Sequence, residues 1–421
     1  MKKCTIILLF LMLGSILDSN AQQYIRIDAS FYSESLDDIK KVNVYLPGDY
    51  YLNPEQQYAT IYYLHGGSGN QNEGNDYAYH YYDTHAESPL SDSMPAAIFV
   101  CPDGDYDPYY GSYWVNSVLY GNFEDYIIND LFTFIESQFR ARTEKDFRFI
   151  TGYSMGGFGS AHIALSNPDK FRACSPMSAA YIGFADTVMS LMKQSLYEEN
   201  GGYHFNMNAG NASKFFFTLS GAYAPNLEIE PYHMEMLWDT NGNRVDTVWT
   251  KWQNFDCSNK VKNLSSENNL SFFLTCGTID YMLCYPPYLQ FEDTLTKYNI
   301  DFRSIYSEYD HGDDDLAANA EKWCWFDSLA YVAYQHLGTN EFKTSKSNIR
   351  LFPNPTKNEI FISIKDEAII KEVNIYNQIG QRVIHKKGNT NIVDVSMLRN
   401  GLYIIEIETN SGIYRSKLMI E

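Results

Sequence analysis

The chain has 421 residues, 45% apolar and 16% aromatic, with a formal charge of −20 at neutral pH. Such a composition can pack a core and argues against a disordered chain, while the acidic excess and the lack of any Lys/Arg run argue against a nucleic-acid binder, which needs a basic face for phosphate. The charge is uneven: residues 349–421 hold ten basic and eight acidic side chains, so the rest stands at −22, and a body plus a smaller module, divided near residue 345, is expected.

Lys2 and Lys3 precede an apolar run from Ile6 to Leu13, and Ser19-Asn20-Ala21 ends in small residues. This is the pattern of an export signal cleaved after Ala21. The run is short for a membrane span and no later stretch is apolar for about 18 residues, so a soluble mature chain is expected. Beyond Cys4, six cysteines remain at 101, 174, 257, 276, 284 and 324. Their spacing matches no small disulfide scaffold or zinc site, and their pairing stays open.

In the body, short β-rich runs alternate with helical patterns. Strands are predicted at Ile61–Leu64, Ala97–Cys101, Phe147–Thr151, Phe215–Leu219, Phe272–Cys276 and Phe302–Tyr306. Phe123, Tyr126, Ile127, Leu131, Phe134, Ile135 and Phe139 fall on one helical stripe, and Ala317–Leu337 reads as a long closing helix. The expected fold class is therefore α/β, a mostly parallel sheet flanked by helices. The stretch 198–266, rich in Asn and aromatics and holding the turn pair Asn241-Gly242, reads as an elaborated insertion, in part a hairpin, that could overhang a site.

The first motif follows the first of these strands. His65-Gly66-Gly67-Ser68-Gly69 comes straight after IYYL, and such a glycine turn lets backbone N–H groups approach a reacting carbonyl. Further on, Asp103-Gly104-Asp105-Tyr106-Asp107 resembles the start of a calcium loop but lacks the later glycine and glutamate; Asp239, Asn241 and Asn243 are incomplete in the same way. No metal is expected. The aromatics around YDPYYGSYW, Trp114 among them, have the faces to stack on a sugar or aryl group, though packing between loops explains them equally well.

The strongest signal is Gly152-Tyr153-Ser154-Met155-Gly156-Gly157, entered from the strand FRFIT and left through the small-residue helix GGFGSAHIAL. A G-x-S-x-G match alone is weak, but strand, tight turn and helix together form a nucleophile elbow, with Ser154 exposed at the turn and Met155 opening the helix. A base and an acid must follow. Of the later histidines, His162, His204, His233 and His336 lie on helices or in the insertion, whereas His311 follows a strand and opens the loop YDHGDDD. Asp280 stands just beyond the strand SFFLTC, where a parallel sheet presents its functional side chains.

The segments YYLHGGSG, PDG, GSYWVNS, GNFEDYIINDL, GYSMGGFGSAHIAL, GTID and DHG together resemble the esterase family that includes esterase D, feruloyl esterases and acetyl xylan esterases, over residues 25–338. The resemblance implies an α/β-hydrolase fold, no cofactor, a Ser154–Asp280–His311 triad, and oxyanion donors at Met155 and Gly67; Tyr153, next to the serine, and Trp114 are the candidate substrate contacts. The chain departs from it at Gly312-Asp313-Asp314-Asp315, where relatives often carry an aromatic stretch.

After the polar linker at 341–348, β-like runs at FISI, VNIY, RVI, NIVDV, YIIEIE and YRSKLMI recur about every ten residues, which predicts a small β-sandwich. Residues 349–421 resemble the C-terminal sorting domain of type IX secretion cargo. That resemblance implies passage across the outer membrane, with the secretion machinery as a partner and release or surface attachment as the destination. The combined expectation is an exported serine esterase acting on acetyl or feruloyl esters of polysaccharide. A siderophore, lipid or peptide hydrolase of the same fold, and a non-catalytic surface binding protein, are the alternatives.

Overall fold

The protein is described from a computed structural model covering residues 24–106, 110–206, 208–313, 315–341, 349–364, 369–377, 382–410 and 413–420. The expected signal with its cleavage site, and all of the expected linker but its first residue, lie outside these residues. The chain divides between Tyr331 and Val332 into two compact units.

The first unit is built on one eight-stranded sheet. Its strands are β1 (Tyr24–Ser33), β2 (Asp38–Pro47), β3 (Thr60–Leu64), β4 (Ile98–Pro102), β5 (Arg148–Tyr153), β6 (Ala173–Met177), β7 (Ser271–Gly277) and β8 (Phe302–Ser307), in the spatial order β1-β2-β4-β3-β5-β6-β7-β8. The β1–β2 and β2–β4 pairs are antiparallel and every later pair is parallel. Strands β3, β4, β6 and β7 are buried at every residue; β3, β4 and β7 read as mostly apolar runs for that reason, whereas β6, with Ser175 and Pro176, was not among the predicted strands.

Helices cover the sheet: α1 (Gly74–Glu87), α2 (Phe132–Gln138), α3 (Met155–Ser166), α4 (Asp186–Asn200), α5 (Asn211–Tyr223), α6 (Asp246–Gln253), α7 (Cys257–Val261), α8 (Tyr285–Lys297) and α9 (Leu316–Glu341). The predicted stripe from Phe123 is helical as far as Gln138, with a π-helical stretch over Tyr126–Leu131. One expected strand is corrected: Phe215–Leu219 lies inside α5. Phe216, Phe217, Leu219 and the neighbouring small residues of α5 are buried on nearly all sides, so its apolar run has no polar face to reveal a helical period. In the insertion, Trp238 pairs antiparallel with Arg244 around the Asn241-Gly242 turn, and Asp239 accepts the amides of Asn241 (2.9 Å) and Asn243 (2.8 Å). Its carboxylate is spent on that turn. The six cysteines are free thiols, five of them buried.

Because β3, β5, β7 and β8 run parallel, their C-terminal ends open on one edge of the sheet. The loops holding Gly67, Ser154, Asp280 and His311 leave from those four ends.

The second unit has a three-stranded sheet of β9 (Ile349–Phe352), β10 (Glu359–Ile364) and β13 (Ile392–Asp394), in the order β9-β10-β13. A second sheet of β11 (Ile370–Tyr376), β12 (Arg382–Lys387), β14 (Gly401–Thr409) and β15 (Ile413–Ile420) has the order β12-β11-β14-β15. All pairs are antiparallel, and Ile360, Val373, Ile375, Val393, Ile405 and Leu418 form a core of their own. Among the described residues, no helix is long and apolar enough to cross a membrane.

Candidate active site

Ser154 sits between the end of β5 and the start of α3 with φ +56°, a left-handed conformation that a serine adopts only under constraint. The constraint is visible. Its N–H donates to Met177 O (3.0 Å) and its carbonyl accepts from Phe158 N (3.0 Å) and Ala180 N (3.1 Å). A Cβ on Gly152 would overlap the Gly156 carbonyl, and one on Gly156 would overlap Leu64 O. Strand and helix meet too closely here for any side chain.

His311 reaches this serine from the loop after β8. Its Nε2 lies 2.9 Å from Ser154 Oγ and its Nδ1 2.8 Å from Asp280 Oδ2. The Asp280 side chain is fully buried, and its other oxygen accepts the Met282 amide at 2.8 Å. An ionised carboxylate on Nδ1 keeps the proton on that nitrogen and leaves Nε2 free to accept the hydroxyl proton. Sequence reasoning did not single out Asp310. Its Oδ1 accepts both the His311 amide (2.7 Å) and the Tyr281 amide (2.8 Å), tying the histidine loop to the acid loop. The only signal available was an acid directly before the histidine.

Gly67 belongs to a loop with a fixed orientation. Gly104 N–H donates to His65 Nε2 (2.8 Å), so the ring proton is on Nδ1 and donates to Gly66 O at 2.8 Å. The Gly69 amide donates to the same oxygen at 3.2 Å. In a planar trans peptide the N–H points opposite the C=O, so the Gly67 N–H is turned the other way. Burial lowers the His65 pKa to about 4, against the pull of the Gly66 hydrogen bond, and the ring stays neutral. Met155, as the first residue of α3, has an amide with no acceptor inside its own helix.

A cavity of about 610 Å³ opens over Ser154 and His311, and Gly66, Gly67, Tyr153 and Gly312 line it. Val188, Leu191 and Met192 of α4, with Phe215 of α5 and Tyr181, add an apolar wall to the lining. Part of that wall comes from the insertion. Tyr153 is half-buried; its ring lies 5.3 Å from that of His311 and its hydroxyl accepts the Gly312 amide. Trp114 is corrected. It is fully buried, its ring against Gly104 and Gly159 and its Nε1–H on His65 O (3.3 Å), so it packs beneath the glycine loop and does not line the cavity.

Asp280, Cys284 and His311 hold three potential metal-ligand atoms within 4.8 Å of one another. His311 and Asp280 are engaged with each other and with Ser154, and burial pushes the Cys284 thiol well above its ordinary range, which disfavours the thiolate a metal needs. Near the calcium-like stretch, Asp103 lies 3.7 Å from Lys40 Nζ, and Asp107 is outside the described residues.

A serine on a strained elbow, a histidine between it and a buried carboxylate, and a glycine turn beside them on this strand order define an α/β-hydrolase. Residues 33–328 match the family model described as "Putative esterase", and the chain belongs to that esterase family. Residues 350–421 match the secretion system C-terminal sorting domain. Esterase Rv1288 of Mycobacterium tuberculosis is 34% identical over 137 residues, which is 32% of this chain and 28% of that protein, so the match spans little more than a quarter of the relative's length. Among solved structures, a ferulic acid esterase (TM-score 0.51, 16% identity) covers 73% of this chain and 98% of its own. FphF, a fluorophosphonate-binding serine hydrolase of Staphylococcus aureus (TM-score 0.50, 20% identity), covers 73% and 99%. At such identities the likeness is one of fold.

Proposed function

We propose that the protein is a secreted or surface-delivered serine carboxylic-ester hydrolase, with Ser154 as nucleophile, His311 as general base and then acid, and Asp280 orienting the imidazole. The observation that carries this reading is the relay itself: 2.9 Å from Ser154 Oγ to His311 Nε2 and 2.8 Å from Nδ1 to Asp280. His311 takes the hydroxyl proton as Oγ attacks the ester carbonyl. The tetrahedral oxyanion is held by the amides of Gly67 and Met155, each such donor contributing on the order of 10²-fold or more in rate. The alcohol leaves with the proton from His311, and water then cleaves the acyl-enzyme by the same path in reverse.

The cavity supports a neutral ester with a sizeable group. Its lining has an apolar wall and, among the described residues, no lysine or arginine, while Glu73 brings a carboxylate to it. An anionic conjugate would meet no counter-charge there. The apolar wall fits the aryl ring of a feruloyl group, and the Ser195, Asn211 and Tyr110 side chains offer polar contacts for a sugar. Together with the sorting domain, this supports acetyl or feruloyl esters of extracellular polysaccharide as substrates. A panel of methyl ferulate, acetylated xylan, short p-nitrophenyl esters and a tributyrin emulsion tests the assignment. Turnover of the first three, lost in Ser154→Ala, is expected; activity confined to the lipid emulsion would replace the substrate class, and no turnover at all would leave the non-catalytic alternative.

A further inference from the structure

The glycine loop is held through two consecutive peptide planes, and the first of them rests on a carboxylate outside the triad. The Gly66–Gly67 peptide is fixed by hydrogen bonds to Gly66 O. The preceding His65–Gly66 peptide is fixed at both ends: Trp114 Nε1–H donates to His65 O (3.3 Å), and Gly66 N–H donates to Glu73 Oε1 (2.8 Å).

Glu73 stands at the N-cap position of α1, yet its side chain makes no cap hydrogen bond to that helix. A short acid such as Asp at that position accepts an amide of its own first turn, a role the longer Glu side chain is not bound to. This one turns back into the loop. Oε1 also accepts the Tyr63 hydroxyl at 3.1 Å, and the Tyr63 ring stacks on Tyr77 of α1 with centroids 4.6 Å apart. The loop closes around the carboxylate so tightly that a Cβ on Gly69 would overlap Oε2.

We infer that Glu73 is a positioning residue for the oxyanion loop: by anchoring the Gly66 N–H it fixes the plane from which Gly67 aims its own N–H at the reacting carbonyl oxygen. The inference rests on the proposed roles of Ser154 and Gly67. What the loop needs from Glu73 is an acceptor at that place, not a charge, since a carboxylate near a developing oxyanion opposes it. Burial in fact raises the Glu73 carboxyl pKa, against the two hydrogen bonds it accepts.

The test compares Glu73→Gln, Glu73→Asp and Glu73→Ala in the full chain, with kcat and KM on p-nitrophenyl acetate and the rate at which a fluorophosphonate labels Ser154. Gln keeps an acceptor at the same reach and should hold kcat within about 3-fold of wild type. Asp withdraws the acceptor by one methylene and Ala removes it, so kcat should fall by about 10-fold or more with little change in KM, and the labelling rate should fall in step. A merely structural role would lower thermal stability without this division between Gln and Asp. If Ala does not fold, the Gln–Asp pair decides alone. Wild-type kcat in folded Asp or Ala, an equal loss in Gln, or a loss confined to KM overturns the inference. A wild-type chain that neither turns over the ester nor takes the label overturns the underlying assignment instead, and the inference with it.

Discussion

Gly156, at the start of α3, packs so closely on Leu64 at the end of β3 that a Cβ would overlap the Leu64 carbonyl oxygen. Both partners are backbone, so neither can rotate away. Gly156→Ala should therefore cost at least about 2 kcal/mol of stability and displace Ser154 from His311. Urea unfolding and p-nitrophenyl acetate turnover measure the two effects, and a variant with native stability and activity would contradict the elbow packing.

The proposed acid, Asp280, and the proposed base, His311, carry a graded expectation. His311→Ala should lower kcat by on the order of 10⁴-fold, since triad members act as a unit. Asp280→Asn should cost somewhat less, because the serine and the imidazole both remain, although the amide no longer holds the ring in the Nδ1–H tautomer. The control is His336→Ala, on the exposed side of α9. Turnover that survives loss of His311 but not of His336 would move the base.

His65 gives a pH dependence with a definite sign. Its folded pKa of about 4 lies below the ordinary 6.5, so between these values the unfolded chain binds the extra proton. The stability from the neutral ring is complete above pH 6.5 and is lost as pH falls toward 4, on the order of 3 kcal/mol in all. Burial lowers the His162 pKa too, which adds in the same direction. Nitrogen-detected NMR should show His65 as the Nδ1–H tautomer, neutral down to about pH 4. A ring that titrates near 6.5 would contradict the account of the loop.

The part of the second unit beyond Glu341 should be dispensable for chemistry. It has its own core, and Ser154, Asp280 and His311 all lie in the first unit. A chain ended at Glu341 keeps the whole of α9 and should retain wild-type kcat/KM on a small ester. In the producing cell the same truncation should leave active enzyme in the periplasm. Lost activity in the folded truncation, or unchanged delivery to the outside, would refute one half of the prediction or the other.

Much of this molecule is legible in its sequence because the relevant signals are local. The elbow glycines, the strand ends before His65 and Asp280, and the alternating strands of the tail each fit within about ten residues. What was missed depends on distant partners. The β1–β2 hairpin adds the antiparallel edge that the reading of alternating parallel elements passed over. Trp114 has the face of a stacking residue, and only the approach of Gly104 and Gly159 shows that it is enclosed. Asp310 and Glu73 are ordinary loop acids until the fold delivers the amides of Tyr281 and Gly66 to them.

The central claim is that Ser154 is the nucleophile, and active-site labelling tests it most directly. The purified chain, treated with a fluorophosphonate and digested, should carry one modification on the peptide containing Ser154. Ser154→Ala should lose both the label and ester turnover while unfolding at the wild-type temperature. A label on a different serine, or a folded Ser154→Ala protein that still hydrolyses p-nitrophenyl acetate, would contradict the account.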